Sequence, residues 1–167
     1  MADASGGRSA GRKPPSPRRR AREFVVQGLY QHLVGGQDEA AIRAQAEDAE
    51  GFDKADRKLF STLLPEVLAG EAELVAVLSP HVDRPWGEVS PVERGILLLG
   101  ACELARHPET PFRVIINEAI ELTKSYGGTD GHRFVNGVLD KLAAHLRADE
   151  VEANARERRS ARGEKAD

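Results

Sequence analysis

The sequence predicts an all-α protein of about seven helices, arranged as two small bundles that share a core, with no β-sheet. Three observations carry that prediction. Apolar residues recur at i, i+3, i+4 and i+7 through most of the chain, which is the period of a helix that buries one face. Helix-starting residues (Ser16-Pro17, Asp38, Ser90-Pro91, Thr110-Pro111) alternate with glycine or proline stops. Nowhere do apolar and polar residues alternate in the manner of a strand.

Residues 1–17 are rich in Gly, Ser, Ala, Pro and basic side chains, and read as a disordered basic arm. Ser16 can cap a first helix with Pro17 at its first position; Val26, Leu29, Tyr30 and Leu33 line one face, and Gly35-Gly36 ends it. Asp38 then caps an Ala-rich helix to about Ala49, whose one large apolar residue is Ile42. Asp53 opens a third helix carrying Phe60, Leu63, Leu64, Val67 and Leu68. Pro65 should kink it, and Gly70 should break it again before Leu74, Val75 and Leu78.

The stretch SPHVDRPWGEV, 79–89, reads as a connector with one short turn, so the bundles divide as 18–80 and 81–147. Ser90-Pro91-Val92-Glu93 is a capping box. The helix it opens runs to about Arg106 and is apolar nearly all round (Ile96, Leu97, Leu98, Leu99), which makes it the central helix. Thr110-Pro111 starts the next, which buries Ile116, Ala119 and Ile120 and stops at Gly127-Gly128. The last begins near Thr129 or Asp130, with Val135, Val138, Leu139, Leu142 and Leu146 on one face. Residues 148–167 read as a charged, flexible tail.

Composition bounds the function. The chain of 167 residues is 40% hydrophobic and 31% charged, and no apolar run is long enough to span a bilayer. The basic N-terminus lacks the apolar segment of a secretory signal, and a single cysteine, Cys102, fits a reducing cytoplasm. The net charge of −3 hides an asymmetry. Residues 1–22 hold seven basic residues and one acid, whereas residues 149–167 hold five basic and six acidic ones, so the middle carries −8. A basic arm on an acidic body suits a polyanionic partner; the plainer reading is a solvated tail.

Enzymatic chemistry is not in evidence. There is no phosphate-binding glycine loop. The five histidines (His32, His81, His107, His132, His145) do not pair at metal-ligand spacing, and Cys102 on the apolar helix reads as a buried, inert thiol. The expectation is therefore a protein without catalytic residues, metal, cofactor, small-molecule substrate or membrane partner.

The residues with no evident packing role lie in two places. In PFRVIINEAIELTKSYGGTDGHRFVNGVLDKL, 111–142, the final helix opens with Asp130, His132 and Arg133, followed by Phe134. A helix start favours anions, and an aromatic beside it suits a stacked base. On the first helix, Arg19, Arg22, Val26 and Tyr30 share a stripe, so Tyr30 lies on the face along which the arginines of RRRAR, 18–22, extend. Guanidinium groups with an aromatic are a common grip on single-stranded RNA. The plainer alternatives stay open at this point. Tyr30 can be half-buried core, Asp130 a cap, Arg133 a solvated residue, Phe134 the edge of the buried stripe, and Glu118 and Glu121 a solvated face.

Three segments, RRRAREFVVQGLY, SPVERGILLLGACEL and the 111–142 stretch, resemble the NusB family of transcription antitermination factors, and the likeness covers roughly residues 18–147. The resemblance implies two helical bundles packed across each other and no enzymatic activity. It further implies binding to the boxA RNA of ribosomal RNA leaders together with NusE, a small-subunit ribosomal protein, within an RNA polymerase antitermination complex. By position it assigns Arg18, Arg19, Arg20, Arg22, Tyr30, Asp130, Arg133 and Phe134 to RNA and Glu93 to the NusE-facing surface. The chain departs from the family pattern at Leu98, Cys102 and Gly131, where arginine, tyrosine and serine are frequent. The competing expectation is a helical protein-binding scaffold without sequence-specific RNA binding.

Overall fold

The computed structural model describes residues 13–126 and 130–165; residues 1–12 of the expected arm and the Gly127-Gly128 turn lie outside them. Eight α-helices and three short 3₁₀ turns, with no strand, make up the regular structure of the described residues. Helix α1 (Pro17–Gly35) starts as its sequence dictates: Ser16 Oγ accepts the Arg19 backbone N–H at 3.1 Å, and Gly36 leaves the helix in the left-handed region at φ 68°. Asp38 caps α2 (Glu39–Asp48) in the same way, at 2.9 Å to the Ala41 N–H.

The third helix differs from expectation. Phe52–Lys54 forms a 3₁₀ turn, and the cap of α3 (Arg57–Ala69) is Asp56 rather than Asp53. The cause is Phe52, which is buried edge-on between Phe24 and Phe60, with ring centroids 5.1 and 5.2 Å away. Seating that ring holds the preceding turn out of the helix. Pro65 lies within α3, which stays helical to Ala69, and Gly70 separates it from α4 (Glu71–Leu78). The connector holds two 3₁₀ turns, Ser79–His81 and Trp86–Glu88.

Helix α5 (Pro91–Arg106) is the axis of the fold. Every residue from Gly95 to Leu104 is buried, and the helix packs against α1, α3, α4, α6 (Phe112–Tyr126) and α7 (Gly131–Leu146). One apolar cluster therefore runs through the whole molecule. Residues 148–164, expected to be a flexible tail, form α8 (Ala148–Glu164), which contains no buried residue. Acids in its first turn and Arg162 in its last complement the helix dipole.

Arg147, just ahead of α8, has a role no local pattern announces. Its buried guanidinium donates to the carbonyls of Glu103, Leu104 and His107, closing the C-terminal end of α5, and to that of Thr110. A cation there satisfies carbonyls that the helix leaves unbonded and opposes its negative end. The junctions of α5 with α6 and α7 with α8 are thus tied at one point.

Candidate nucleic-acid interface

Helices α1 and α6 run side by side in parallel, as two bonds at the same sequence offset show. Arg19 reaches Glu118 with two hydrogen bonds, of 2.9 and 3.0 Å, and eight residues later Gln27 Nε2 donates to the Tyr126 hydroxyl at 3.2 Å. Glu118 is therefore a partner of α1, not part of a solvated face. At the far end of this seam, Tyr30 and Tyr126 are 43% and 38% exposed, on a surface where large apolar side chains are otherwise mostly covered. They flank a shallow, mainly apolar cleft completed by Val26, Gln27, Gln31 and Val92. The buried Oε1 of Gln31 has no hydrogen-bond partner among the described residues. An unsatisfied buried acceptor is uncommon. Burial raises the Tyr126 hydroxyl above its ordinary pKa.

Beyond the cleft, the start of α7 lies against the start of α5. The Ser90 cap holds the Glu93 N–H at 3.3 Å, while the half-buried Glu93 carboxylate sits where a side chain on Gly131 would go, 2.8 Å from the position of a Cβ. Glu93 thus takes the space that a side chain at 131 would need. Asp130 stands at the N-cap position, but its side chain makes no capping bond and the residue is exposed. Its backbone carbonyl alone accepts the Arg133 and Phe134 N–H groups, at 3.1 and 3.4 Å. Arg133 is exposed; Phe134 is half-buried against the core, with the Arg84 guanidinium 4.5 Å from its ring centroid. One face of that ring is therefore already occupied.

The arginines of 18–22 have separate fates. Arg22 does not reach the surface: it is 3% exposed and forms a buried ion pair with Glu103 on α5, at 2.8 Å from Nη2 and 3.1 Å from Nε. The assignment of Arg22 to RNA is corrected on that ground, because a guanidinium enclosed in the core offers nothing to a phosphate. Burial works against its charge, but the bonds to Glu103 outweigh this and raise its pKa. Arg19 is held by Glu118, whose hydrogen bonds raise its pKa likewise. Arg18 is exposed, 3.9 Å from Asp56. Arg20 faces Gly51 among Glu50, Asp53 and Lys54.

The fold therefore brings Tyr30, Glu93 and Asp130 to one surface, with Phe134 one turn further along α7, and turns Arg18, Arg20 and Arg22 away from it. Sequence reasoning missed Tyr126, Gln27, Gln31 and Arg84; Tyr126 alone carried a signal, as an aromatic placed directly before a Gly-Gly stop. Among the described residues no three His, Cys, Asp or Glu side chains come together to hold a metal ion. Cys102 is buried and its thiol is pushed up to about 12, chiefly by burial, as befits an unreactive core residue.

A sequence model of the NusB family matches residues 19–144. Transcription antitermination protein NusB of Dechloromonas aromatica (strain RCB) is 62% identical over 140 residues, covering 84% of this chain and 86% of the relative. That of Azoarcus sp. (strain BH72) is 58% identical over 137 residues, covering 81% and 88%. Among solved structures, T. maritima NusB aligns with a TM-score of 0.70 at 28% identity, over 84% of this chain and 99% of the other. A structure of the antitermination factors NusB and NusE in complex with dsRNA aligns with a TM-score of 0.65 at 20% identity, over 75% and 95%, which speaks for the fold alone.

Proposed function

The chain belongs to the NusB family of non-enzymatic transcription antitermination factors, and we propose on that premise that it recognises boxA RNA of ribosomal RNA leaders together with NusE. In that role it helps RNA polymerase in the cytoplasm to pass terminators. The observation that carries the reading is the mainly apolar cleft flanked by the exposed rings of Tyr30 and Tyr126. A base stacked there would gain an aromatic face. The exposed Asp130 carboxylate, an acceptor only, suits the amino or imino group of a neighbouring base. Arg133 and Lys124 are the exposed cations nearest in sequence to the α6–α7 turn and suit the adjoining phosphates.

The same surface explains the need for a protein partner. Glu23, Glu93, Glu118, Glu121 and Asp130 lie along the seam or at its end, within a body that carries −8. Acidic groups repel a phosphate backbone over about 10 Å at moderate salt, so aromatic contacts alone give weak binding. A partner presenting positive charge beside Glu93 offsets that repulsion. No helix among the described residues is long and apolar enough to cross a membrane.

The test is binding of boxA RNA and a scrambled control, with and without NusE, across a salt series. Preference for boxA that strengthens with NusE is the expected result. Equal binding of both RNAs in the presence of NusE leaves a helical protein-binding scaffold as the better description.

A further inference from the structure

Helix α8 lies beyond the residues matched by the family model, 19–144, and its two halves have different surroundings. The first half is docked: Glu150 Oε1 accepts the Phe112 N–H at 2.9 Å, Arg113 Nε donates to Asn154 at 3.4 Å, and Val151 packs on the core. From Ala155 to Lys165 every residue is exposed. This projecting part carries Arg156, Arg158, Arg159, Arg162 and Lys165 against Glu157 and Glu164, a local charge of +3. Arg156 pairs with Glu152 at 3.5 Å. Among the described residues, the other four cations have no ion-pair partner.

Their placement is one-sided. At about 100° per residue, Arg158, Arg162 and Lys165 fall within about 60° of one another and Arg159 about 60° further on, whereas both glutamates lie on the opposite side. Helix capping does not account for this, because the dipole acts within the last turn and Arg158 and Arg159 stand before it. Nor does packing, since all four side chains are exposed. A single-sign row of cations along one helix face is complementary to a row of phosphates.

We propose that this face of α8 is a second RNA contact, which grips the phosphates of single-stranded RNA flanking the segment held at the Tyr30 cleft. The proposal rests on the RNA reading of that cleft. The docked start of α8 is well apart from the cleft. Glu150 docks α8 at Phe112, the first residue of α6, and Tyr126 is the last, about 20 Å along the helix axis. The α8 stripe therefore adds grip without sequence readout, and only for RNA long enough to leave the cleft.

The experiment compares the full chain with its R158Q/R159Q/R162Q/K165Q variant, both bound to NusE. The probes are a short boxA RNA and the same RNA extended at both ends by uridine tracts. For the extended RNA, the variant should lose affinity at low salt. Its slope of log affinity against log salt should flatten by about 0.7 for each lost phosphate contact, about 2–3 in all. The short RNA should bind both proteins alike, and the far-UV spectrum and unfolding midpoint should not change. Identical slopes for the extended RNA overturn the α8 contact while boxA binding by both proteins leaves the proposed function standing. Equal losses for both RNAs overturn it by assigning the stripe to the cleft segment. Loss of NusE binding with RNA binding intact overturns it in favour of a protein partner. Failure of the unaltered chain to bind either RNA removes both readings.

Discussion

Two arginine-rich segments of this chain, RRRAR on α1 and RERRSAR on α8, look alike in sequence and are opposites in structure. On α1, Arg22 is enclosed with Glu103, Arg19 is clasped by Glu118, and Arg18 lies near Asp56. On α8, Arg158, Arg159 and Arg162 are exposed without an ion-pair partner among the described residues. The difference comes from what each helix faces. α1 is packed between elements that carry carboxylates, so its cations are drawn into ties between helices; the distal half of α8 faces solvent. Charge count alone says nothing about which cluster is available to a polyanion.

The largest effect expected from that contrast is on stability. Arg22→Ala leaves the Glu103 carboxylate buried without its partner, which should cost about 3–5 kcal/mol. Arg159→Ala, at an exposed position, should stay within about 0.5 kcal/mol of the parent. Urea unfolding of the two variants measures both. A double replacement by Met at 22 and Leu at 103 should recover most of the loss, because well-packed apolar side chains often match a buried ion pair. An Arg22→Ala protein as stable as the parent would break the comparison outright.

The next largest effect is on binding. With Arg22 in the core and Arg19 engaged, the contribution of α1 to RNA should come from Tyr30 more than from its arginines. Tyr30→Ala should weaken boxA binding by about 1–3 kcal/mol and cost the fold less than truncation of a fully buried ring, since the residue is 43% exposed. Titration of labelled boxA RNA in the presence of NusE reads this directly. A larger loss from Arg18→Ala or Arg20→Ala would return the arginine motif to the centre of the site.

These fates also mark how far the sequence could be read. Helix starts were legible because Ser16, Asp38 and Ser90 cap backbone groups three residues away, a purely local interaction. Asp53 misled because it also fits a cap, and the decision against it lies with the Phe24–Phe52–Phe60 stack, which joins separate elements. The Tyr30 surface was half legible: helical periodicity put Tyr30 and Arg19 on one stripe, but could not reveal that Glu118 waits opposite. Arg22 and Arg147 were illegible for the same reason, since their partners lie 81 and up to 44 residues away. The helical state of 148–164 escaped notice because a helix without an apolar face gives no periodic signal.

A tie made by histidine should differ from one made by arginine in its response to pH. Burial disfavours a charge on His107, but its bonds to Glu66 at 2.6 Å and Glu109 at 2.9 Å outweigh this and raise its pKa above 6.5. His32 is raised in the same sense: burial opposes its charge, and Glu71 and the Gln37 carbonyl prevail. A folded-state pKa above the unfolded one means that the stabilisation is complete below about pH 6.5. It is lost as pH rises through the raised folded value. Urea midpoints across that window should fall in the parent and fall less in His107→Gln, whereas the Arg22–Glu103 tie contributes equally throughout. A His107→Gln profile parallel to the parent's would show that this pair carries no linkage.

The smallest expected effect is the most pointed, because it moves one arginine from one class to the other. Arg19 lies on the stripe that leads to Tyr30, and its partner Glu118 is only partly exposed. Glu118→Gln removes the opposing charge and most of the clasp while keeping the side chain's size. A partly exposed pair of this kind contributes about 0.2–1 kcal/mol, so the fold should lose no more than that. RNA should gain from it twice, through a guanidinium released to a phosphate and through one less repelling carboxylate. The salt slope of boxA binding should steepen by about 0.7, the value of one phosphate contact, and Arg19→Ala in the same background should return it to the parental slope. If Glu118→Gln leaves slope and affinity unchanged, Arg19 is a helix tie like Arg22, and among the described residues the arginine stripe open to RNA is the one on α8.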